Sequence, residues 1–418
     1  MDDVELTDMR AEHPEWVLGD QTSAEWFALS WNMAVAEVRE QRLAHVREML
    51  RYDWDGIELD WQRHAFHLPE EEAYRLRYVL TDLARAVRLL CDQHAQERGR
   101  PLPIAARVAG SIEQSYRQGY DLEEWLREGL VDLLIPAGNA ATDPSIEVTE
   151  WRELRERCGA TDRVRIMPGF DSGVPRATAV GGDPEREHVA PEPAPVLQSL
   201  YTRALAARYR HAGADGLYCF NWHSGFAPNA VDGQYTFDGS RALFQEIQDI
   251  STLRGLDKVY PATQRVIHKS GAWRGAFRVD RLWGQVPVPL LPTLTGRGAR
   301  VKVALGDESP TAAGSPRCTL RLRLEELTSP DRIDVRWDDE PLQETPPPAA
   351  PTQAWAVSTT AWLLFPLSSE QVGAGAHVAE VILGHRNPQV RSEIMLTDVE
   401  VVVDWGAPPA IALGGSRL

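Results

Sequence analysis

Five short apolar runs, each set against a stretch of helical periodicity, constrain this chain more than any other feature. The runs are Asp55 to Trp61, Pro103 to Val108, Val131 to Pro136, Val164 to Met167 and Gly216 to Phe220. Helical patterns occupy Glu70 to Glu97, a segment opened by Asp121, Val148 to Arg157, Val196 to His211 and Arg241 to Ile250, and Glu37 to Arg51 precedes the first run as an amphipathic helix. Continuous apolar runs bounded by helices are the pattern of parallel strands covered on both faces. Such strands close into a (β/α)8 barrel or spread into a doubly wound sheet. Their ends favour the barrel, because each run leads into polar or small residues, and a barrel gathers such groups around one mouth. No Gly-rich phosphate fingerprint marks a switch point.

The most informative run is Asp55-Gly56-Ile57-Glu58-Leu59-Asp60-Trp61-Gln62-Arg63-His64. Alternation places Ile57, Leu59 and Trp61 on one side and Glu58, Asp60 and Gln62 on the other. Two carboxylates on one face of an otherwise apolar strand are costly unless they are paired, hydrogen-bonded or used in chemistry. The other runs end in Arg107 and Ser111, in Gly138 and Asn139, in Asp171 and Ser172, and in Asn221, Trp222 and His223. Asp121 is expected to cap its helix, with Glu124 completing a capping box. The stripe Tyr74, Val79, Leu83, Val87 and Leu90 is expected to face the core.

At 418 residues the chain is long enough for two cores, and its composition shifts near Leu256. Beyond that point Pro and Gly are frequent and short alternating runs appear at Val301 to Leu305, Leu320 to Leu324, Ile333 to Trp337, Trp362 to Leu367, Val378 to Leu383 and Val399 to Trp405. This spacing predicts an all-β, jelly-roll-like sandwich. The division expected is therefore residues 1–255 as a barrel domain and 256–418 as a sandwich that could bind carbohydrate. Gly181 to Pro195 and Glu344 to Pro351 read as Pro-rich surface loops.

A net charge of -17 argues against nucleic acid or an anionic membrane as partner. No apolar run approaches the ~20 residues that span a bilayer. Cys91, Cys158, Cys219 and Cys318 are scattered through core-like segments and read as buried thiols. The N-terminal residues lack a basic and apolar leader, so a cytoplasmic location is expected as the sequence stands, and a secreted one if the start is truncated. The sequence does not address oligomeric state.

Residues Asp55 to His64, supported by His13 to Trp16, Asn32 to Arg42 and Ala214 to Asn221 (ADGLYCFN), resemble the bacterial glycosyl-hydrolase-like barrel proteins over roughly the first 255 residues. DGIELDWQ is also similar to the family-18 chitinase signature, in which the final position is the catalytic Glu. Here that position is Gln62, and a carboxamide does not donate a proton as an acid does. The resemblance implies a (β/α)8 barrel of TIM type acting on carbohydrate without a cofactor. It also implies three strands ahead of Asp55, for which the chain has little room, so the barrel is expected to lack its first two or three strands. A truncated reading frame is favoured over an open remnant, because an open parallel sheet exposes an edge that closure removes.

Glycoside hydrolysis usually needs two carboxyl groups about 5 to 9.5 Å apart. Asp60 is the first candidate, Glu58 one step below it is the second, and Asp171 is the partner expected from another strand, although Asp171 before Ser172-Gly173 also suits an Asx turn. Glu113 is a weaker substitute. Candidate substrate-binding residues are Arg63, His64, Arg107, Asn139, Asn221 and Trp222, with Trp222 suited to stack on a sugar ring. Arg107 also suits an ion pair with the strand acids. His64 and His67 lack a third ligand at metal spacing, so no metal is expected. Two functions stay open on these residues: a glycoside hydrolase using paired carboxylates, and a catalytically silent carbohydrate-binding or scaffold protein.

Overall fold

The protein was analysed as a computed structural model that describes residues 8–18, 30–62, 66–138, 142–171, 174, 194–220, 237–263, 284–292, 297–306, 308, 314–344 and 360–406. Two compact units emerge. The first holds the described residues of Met1–Asp171 and Gly213–Phe220, and the second those of Ser172–Ala212, Asn221–Ile267 and Asp280–Leu418.

In the first unit, helices α1 (Asp8–Glu12) and α2 (Ala36–Met49) precede strand β1 (Ile57–Asp60) and the long helix α3 (Arg77–Arg98). Strand β2 (Ile104–Ala109), short helices α4 (Ile112–Arg117) and α5 (Leu122–Glu128), strand β3 (Leu133–Ala137) and helix α6 (Val148–Arg157) follow. Strands β4 (Arg165–Ile166), β5 (Gly169–Asp171) and β6 (Tyr218–Phe220) complete it. The strands run parallel in the order β1-β2-β3-β4, with β5 pairing β6. Sequential order with helices between strands is what the apolar runs predicted. Closure into a barrel is not seen among the described residues.

The run Val164 to Met167 forms β4, and an unpredicted strand, β5, follows it after Pro168. Pro168 has no N–H to give a ladder and separates the two, so that β4 pairs β3 and β5 pairs β6. The switch stays tight because Met167 N–H donates to Leu134 at 3.0 Å and Tyr218 N–H to Pro168 at 3.1 Å. A Cβ at Gly169 would sit 2.9 Å from that of Ala137, so a side chain there would push β5 away from β3.

Helix α3 also departs from expectation at its start. Residues 70–76 form turns, and Tyr74 is 58% exposed, whereas Val79, Leu83 and Val87 are buried as the stripe required. No side chain caps the helix N-terminus, so the turn ahead of it is not drawn into the ladder. Asp121 does cap α5, accepting from the Glu124 N–H, yet the Glu124 carboxylate pairs with Arg85 at 3.2 Å rather than closing a capping box. Val46 and Leu50 pack with Ile57, Val87, Cys91, Leu102 and Ile104 in a core between α2, α3 and the first two strands.

One device recurs below the sheet. Asp132, just before β3, accepts from Ile104 N–H of β2 at 2.7 Å and from Arg88 of α3 at 2.9 Å. Asp215, ahead of β6, accepts from Ile166 N–H of β4 at 2.8 Å and from Arg155 of α6 at 2.6 Å. Each aspartate thus ties a strand to the helix that precedes it.

In the second unit, helix α7 (Ala194–His211) is followed by α8 (Phe237–Glu246) and α9 (Ile250–Leu253), and then by antiparallel strands. One sheet runs β13 (Thr360–Leu367), β10 (Arg317–Glu325), β15 (Ile394–Asp404), β7 (Lys258–Pro261), with β8 (Val288–Leu290) also on β15. The other runs β12 (Glu340–Pro341), β11 (Arg332–Trp337), β14 (Gly375–His385), β9 (Ala299–Leu305). Inward residues of both, such as Val301, Leu320, Val335, Val381 and Val401, share one core. All six predicted runs are strands. Strands β7, β8 and β12 were not predicted, because two to four residues are too few to show alternation. Among the described residues no helix is long and apolar enough to cross a membrane.

Replacing Asp215 with Ala removes two hydrogen bonds and leaves Arg155, 7% exposed, without this partner, so a loss of about 2 kcal/mol is expected. Asp132→Ala is expected to behave alike, and the double variant to lose the sum, because the two sites share no partner. Urea unfolding of the single and double variants measures both effects.

Candidate functional site

The C-terminal ends of β1, β2, β3 and β6 meet at the side chain of Arg107. Arg107 stands opposite Asp60 in the β1–β2 register, so its guanidinium reaches the Asp60 carboxylate directly. Its Nη1 donates to both oxygens of Asp60 at 3.1 Å, and Nη2 donates to the Gly138 carbonyl just past β3 at 3.0 Å. The ring of Phe220, the last residue of β6, lies 4.3 Å from the guanidinium carbon. Arg107 is fully buried while the Asp60 side chain is 27% exposed, so the pair presents the carboxylate from a rigid base. The Gln62 N–H also donates to Asp60, at 3.1 Å.

Glu58, one strand step below, accepts a hydrogen bond from the Tyr218 hydroxyl at 2.7 Å. Burial and the neighbouring Glu58 push the Tyr218 phenol well above its ordinary value, so it remains a donor. Tyr218 belongs to β6, in the two-stranded β5–β6 sheet, and Glu58 to β1, in the four-stranded sheet. A direct bond between them links the two parallel sheets.

Beneath Asp60 the chain is held by Trp61. Its carbonyl accepts from the Tyr120 hydroxyl at 2.5 Å and from His67 Nε2 at 2.8 Å. Its ring packs against Trp125 at 5.4 Å, His67 at 5.6 Å and Tyr120 at 6.0 Å. Burial lowers the His67 pKa, opposed by its bond to the Trp61 carbonyl and by Asp60. Burial, and Asp60 in second place, push Tyr120 far up. Gln62 is completely buried, and among the described residues neither its side-chain oxygen nor its nitrogen has a hydrogen-bond partner.

Asp60, Glu58 and Arg107 therefore stand together. Asp171 ends β5 with its backbone opposite Phe220, and its side chain lies outside the described residues. Arg63, His64, Asn139, Asn221 and Trp222 also lie outside them. Glu113 makes an exposed i,i+4 pair with Arg117 at 2.6 Å, as a surface helix residue does. Tyr218 and Phe220 were missed by sequence reasoning. Alternation in Tyr218-Cys219-Phe220 puts both on one face, but nothing local says which strand they face. Among the described residues no three His, Cys, Asp or Glu side chains group as metal ligands.

Arg107→Ala is expected to cost about 3 kcal/mol in urea unfolding, because it empties a filled volume and strips Asp60 of its guanidinium. His67 carries a lowered pKa, so the unfolded chain takes up its proton first as pH falls. Its contribution is unaffected above its ordinary value of about 6.5 and is lost below it, at no more than about 1.4 kcal/mol per pH unit. His67→Gln is expected to flatten the fall in stability between pH 7.5 and 5.5 measured by the same method.

No protein-family model matches the chain, and no curated protein matches it. Solved structures similar to it include glycoside hydrolases. Chitinase ChiW from Paenibacillus sp. str. FPU-7 is 13% identical with a TM-score of 0.34, over 94% of this chain and 45% of that one. Chitinase ChiA74 from Bacillus thuringiensis is 12% identical with a TM-score of 0.33, over 88% and 77%. BuGH86, solved in complex with neoagarooctaose, is 9% identical with a TM-score of 0.27, over 82% and 69%. The chain spans less than half the length of ChiW. Likeness at this level does not transfer a family or an activity.

Proposed function

We propose that this chain is a glycoside-hydrolase-like protein that hydrolyses glycosidic bonds of a poly- or oligosaccharide, with Asp60 and Glu58 as its working carboxylates. The observation that carries the reading is the convergence of Glu58–Tyr218 and Asp60–Arg107 at the parallel strands β1, β2 and β6. A (β/α) barrel assembles its site at the C-terminal ends of such strands, and the sequential strand order and the bond between β1 and β6 support a barrel of that type. The order of strands in the two antiparallel sheets supports a jelly roll for the second part. The expected division into residues 1–255 and 256–418 differs from the compact units, because helices α7, α8 and α9 group with the antiparallel strands.

The chemistry follows from the setting of the acids. Hydrolysis needs one carboxyl group to protonate the leaving oxygen and another to attack the anomeric carbon or activate water. Residues two apart on one strand face are separated by about 6.6 Å along the strand, which is compatible with a water between their carboxyl groups and a sugar above them. Arg107 positions Asp60 and Tyr218 positions Glu58, so neither acid has to be ordered by substrate. Asp171 is the further carboxylate this reading recruits, from β5.

A second reading, a catalytically silent carbohydrate-binding or scaffold protein, is favoured by Gln62. A carboxamide stands at the end of the acidic run, wholly buried and, among the described residues, without side-chain hydrogen-bond partners. The Asp60→Asn variant and the wild type, assayed on a panel of glycans, separate the two. Hydrolysis predicts that turnover falls at least about a hundredfold while glycan binding persists. The silent reading predicts binding without turnover by either protein. Equal hydrolysis by both would remove Asp60 from the mechanism.

A further inference from the structure

Two large aromatic side chains stand in the open where the chain passes from β1 into α3. Tyr74, in the turn ahead of the helix, is 58% exposed, and Tyr78, in its first turn, is 57% exposed. Because α3 returns antiparallel to β1, its N-terminus lies at the C-terminal end of that strand. Helix α4 follows β2 after two residues and occupies the neighbouring part of the rim. Its Tyr116 meets Tyr74 edge-on, with ring centroids 6.5 Å apart and planes 65° apart.

The shelf is fixed from behind. Arg77 lies over the Tyr74 ring at 4.5 Å and donates to the Tyr74 carbonyl at 2.9 Å, while its Nε donates to Asp121 at 3.0 Å. The Tyr116 hydroxyl accepts from the Glu123 N–H at 3.2 Å. Phenol rings ordered from behind, as Tyr74 and Tyr116 are, lose little freedom when a ligand covers them. Their chemistry, a flat apolar face with a hydroxyl at its edge, matches the C–H face and hydroxyl rim of a pyranose. A second copy of this chain is a poor occupant, since the net charge of -17 sets copies against one another, whereas a neutral polyol meets no such repulsion.

We infer that Tyr74 and Tyr78 form a rim subsite for the distal units of a sugar chain, so that the ligand of this protein is a neutral oligo- or polysaccharide several units long rather than a mono- or disaccharide. The inference rests on the reading of the Asp60–Glu58 side as a carbohydrate site and adds to it where the chain continues. Calorimetric titration with cello-, chito- and agaro-oligosaccharides of two to eight units tests it, using wild type, Tyr74→Ala, Tyr78→Ala and the double variant. The dissociation constant of the double variant is expected to rise about tenfold for the longest members of the ladder that binds, and to stay within about twofold for the dimers. Thermal midpoints are expected to match wild type, because the rings are exposed. Unchanged affinity at every length overturns the inference, as does equal loss for dimers and octamers, and as does a wild type that binds none of the ladders. Hydrolysis and its loss in Asp60→Asn are read separately, so failure of the rim subsite and failure of the catalytic assignment give different results.

Discussion

The buried guanidinium of Arg107 is the interaction on which the site depends. It is anchored in the middle of a parallel sheet, completely removed from solvent, and a charge in that position requires a partner. Asp60 supplies the countercharge, the Gly138 carbonyl takes a further N–H, and Phe220 covers a face. Three other strand ends are thereby held to β2. The carboxylate that faces the open side is set by the same bonds that satisfy the buried cation.

The two parallel sheets are joined by a contact of this kind. Tyr218 of β6 and Glu58 of β1 come from different sheets, and their hydrogen bond links them. On the opposite end of the strands, Asp132 and Asp215 each take a strand N–H and a helix arginine, which locks helices against the sheet where no chemistry is needed. Stability devices therefore lie below the sheet and the exposed acids and aromatics above it, the division that parallel strands with helical connections impose. Gln62 departs from this economy. A fully buried carboxamide with no hydrogen-bond partner among the described residues costs stability, and its place at the end of the acidic run makes it the residue that divides the hydrolytic reading from the silent one.

Much of the fold was legible in local pattern. Apolar runs bounded by helical stripes marked the five parallel segments, and period-two alternation marked the six long strands of the second unit, because burial on one or two faces writes itself directly into residue type. What pattern missed was short or depended on a neighbour. Strand β5 has only three residues and lies past Pro168, beyond the run that ended at Met167, Tyr74 falls on the α3 stripe yet lies in a turn ahead of the helix, and β12 has only two residues.

By itself the sequence determined the alternation of strand and helix, the placing of Glu58 and Asp60 on one strand face, and the change to antiparallel strands near Leu256. These are consequences of backbone periodicity and hydrophobic burial, which act along the chain. Only tertiary structure decided that Asp60 belongs to Arg107, that Glu58 belongs to Tyr218, and that Tyr74, ahead of α3, meets Tyr116 of α4. Those partners are 47, 160 and 42 residues apart in the chain, and no local periodicity encodes which buried charge or hydroxyl a folded sheet will bring to them.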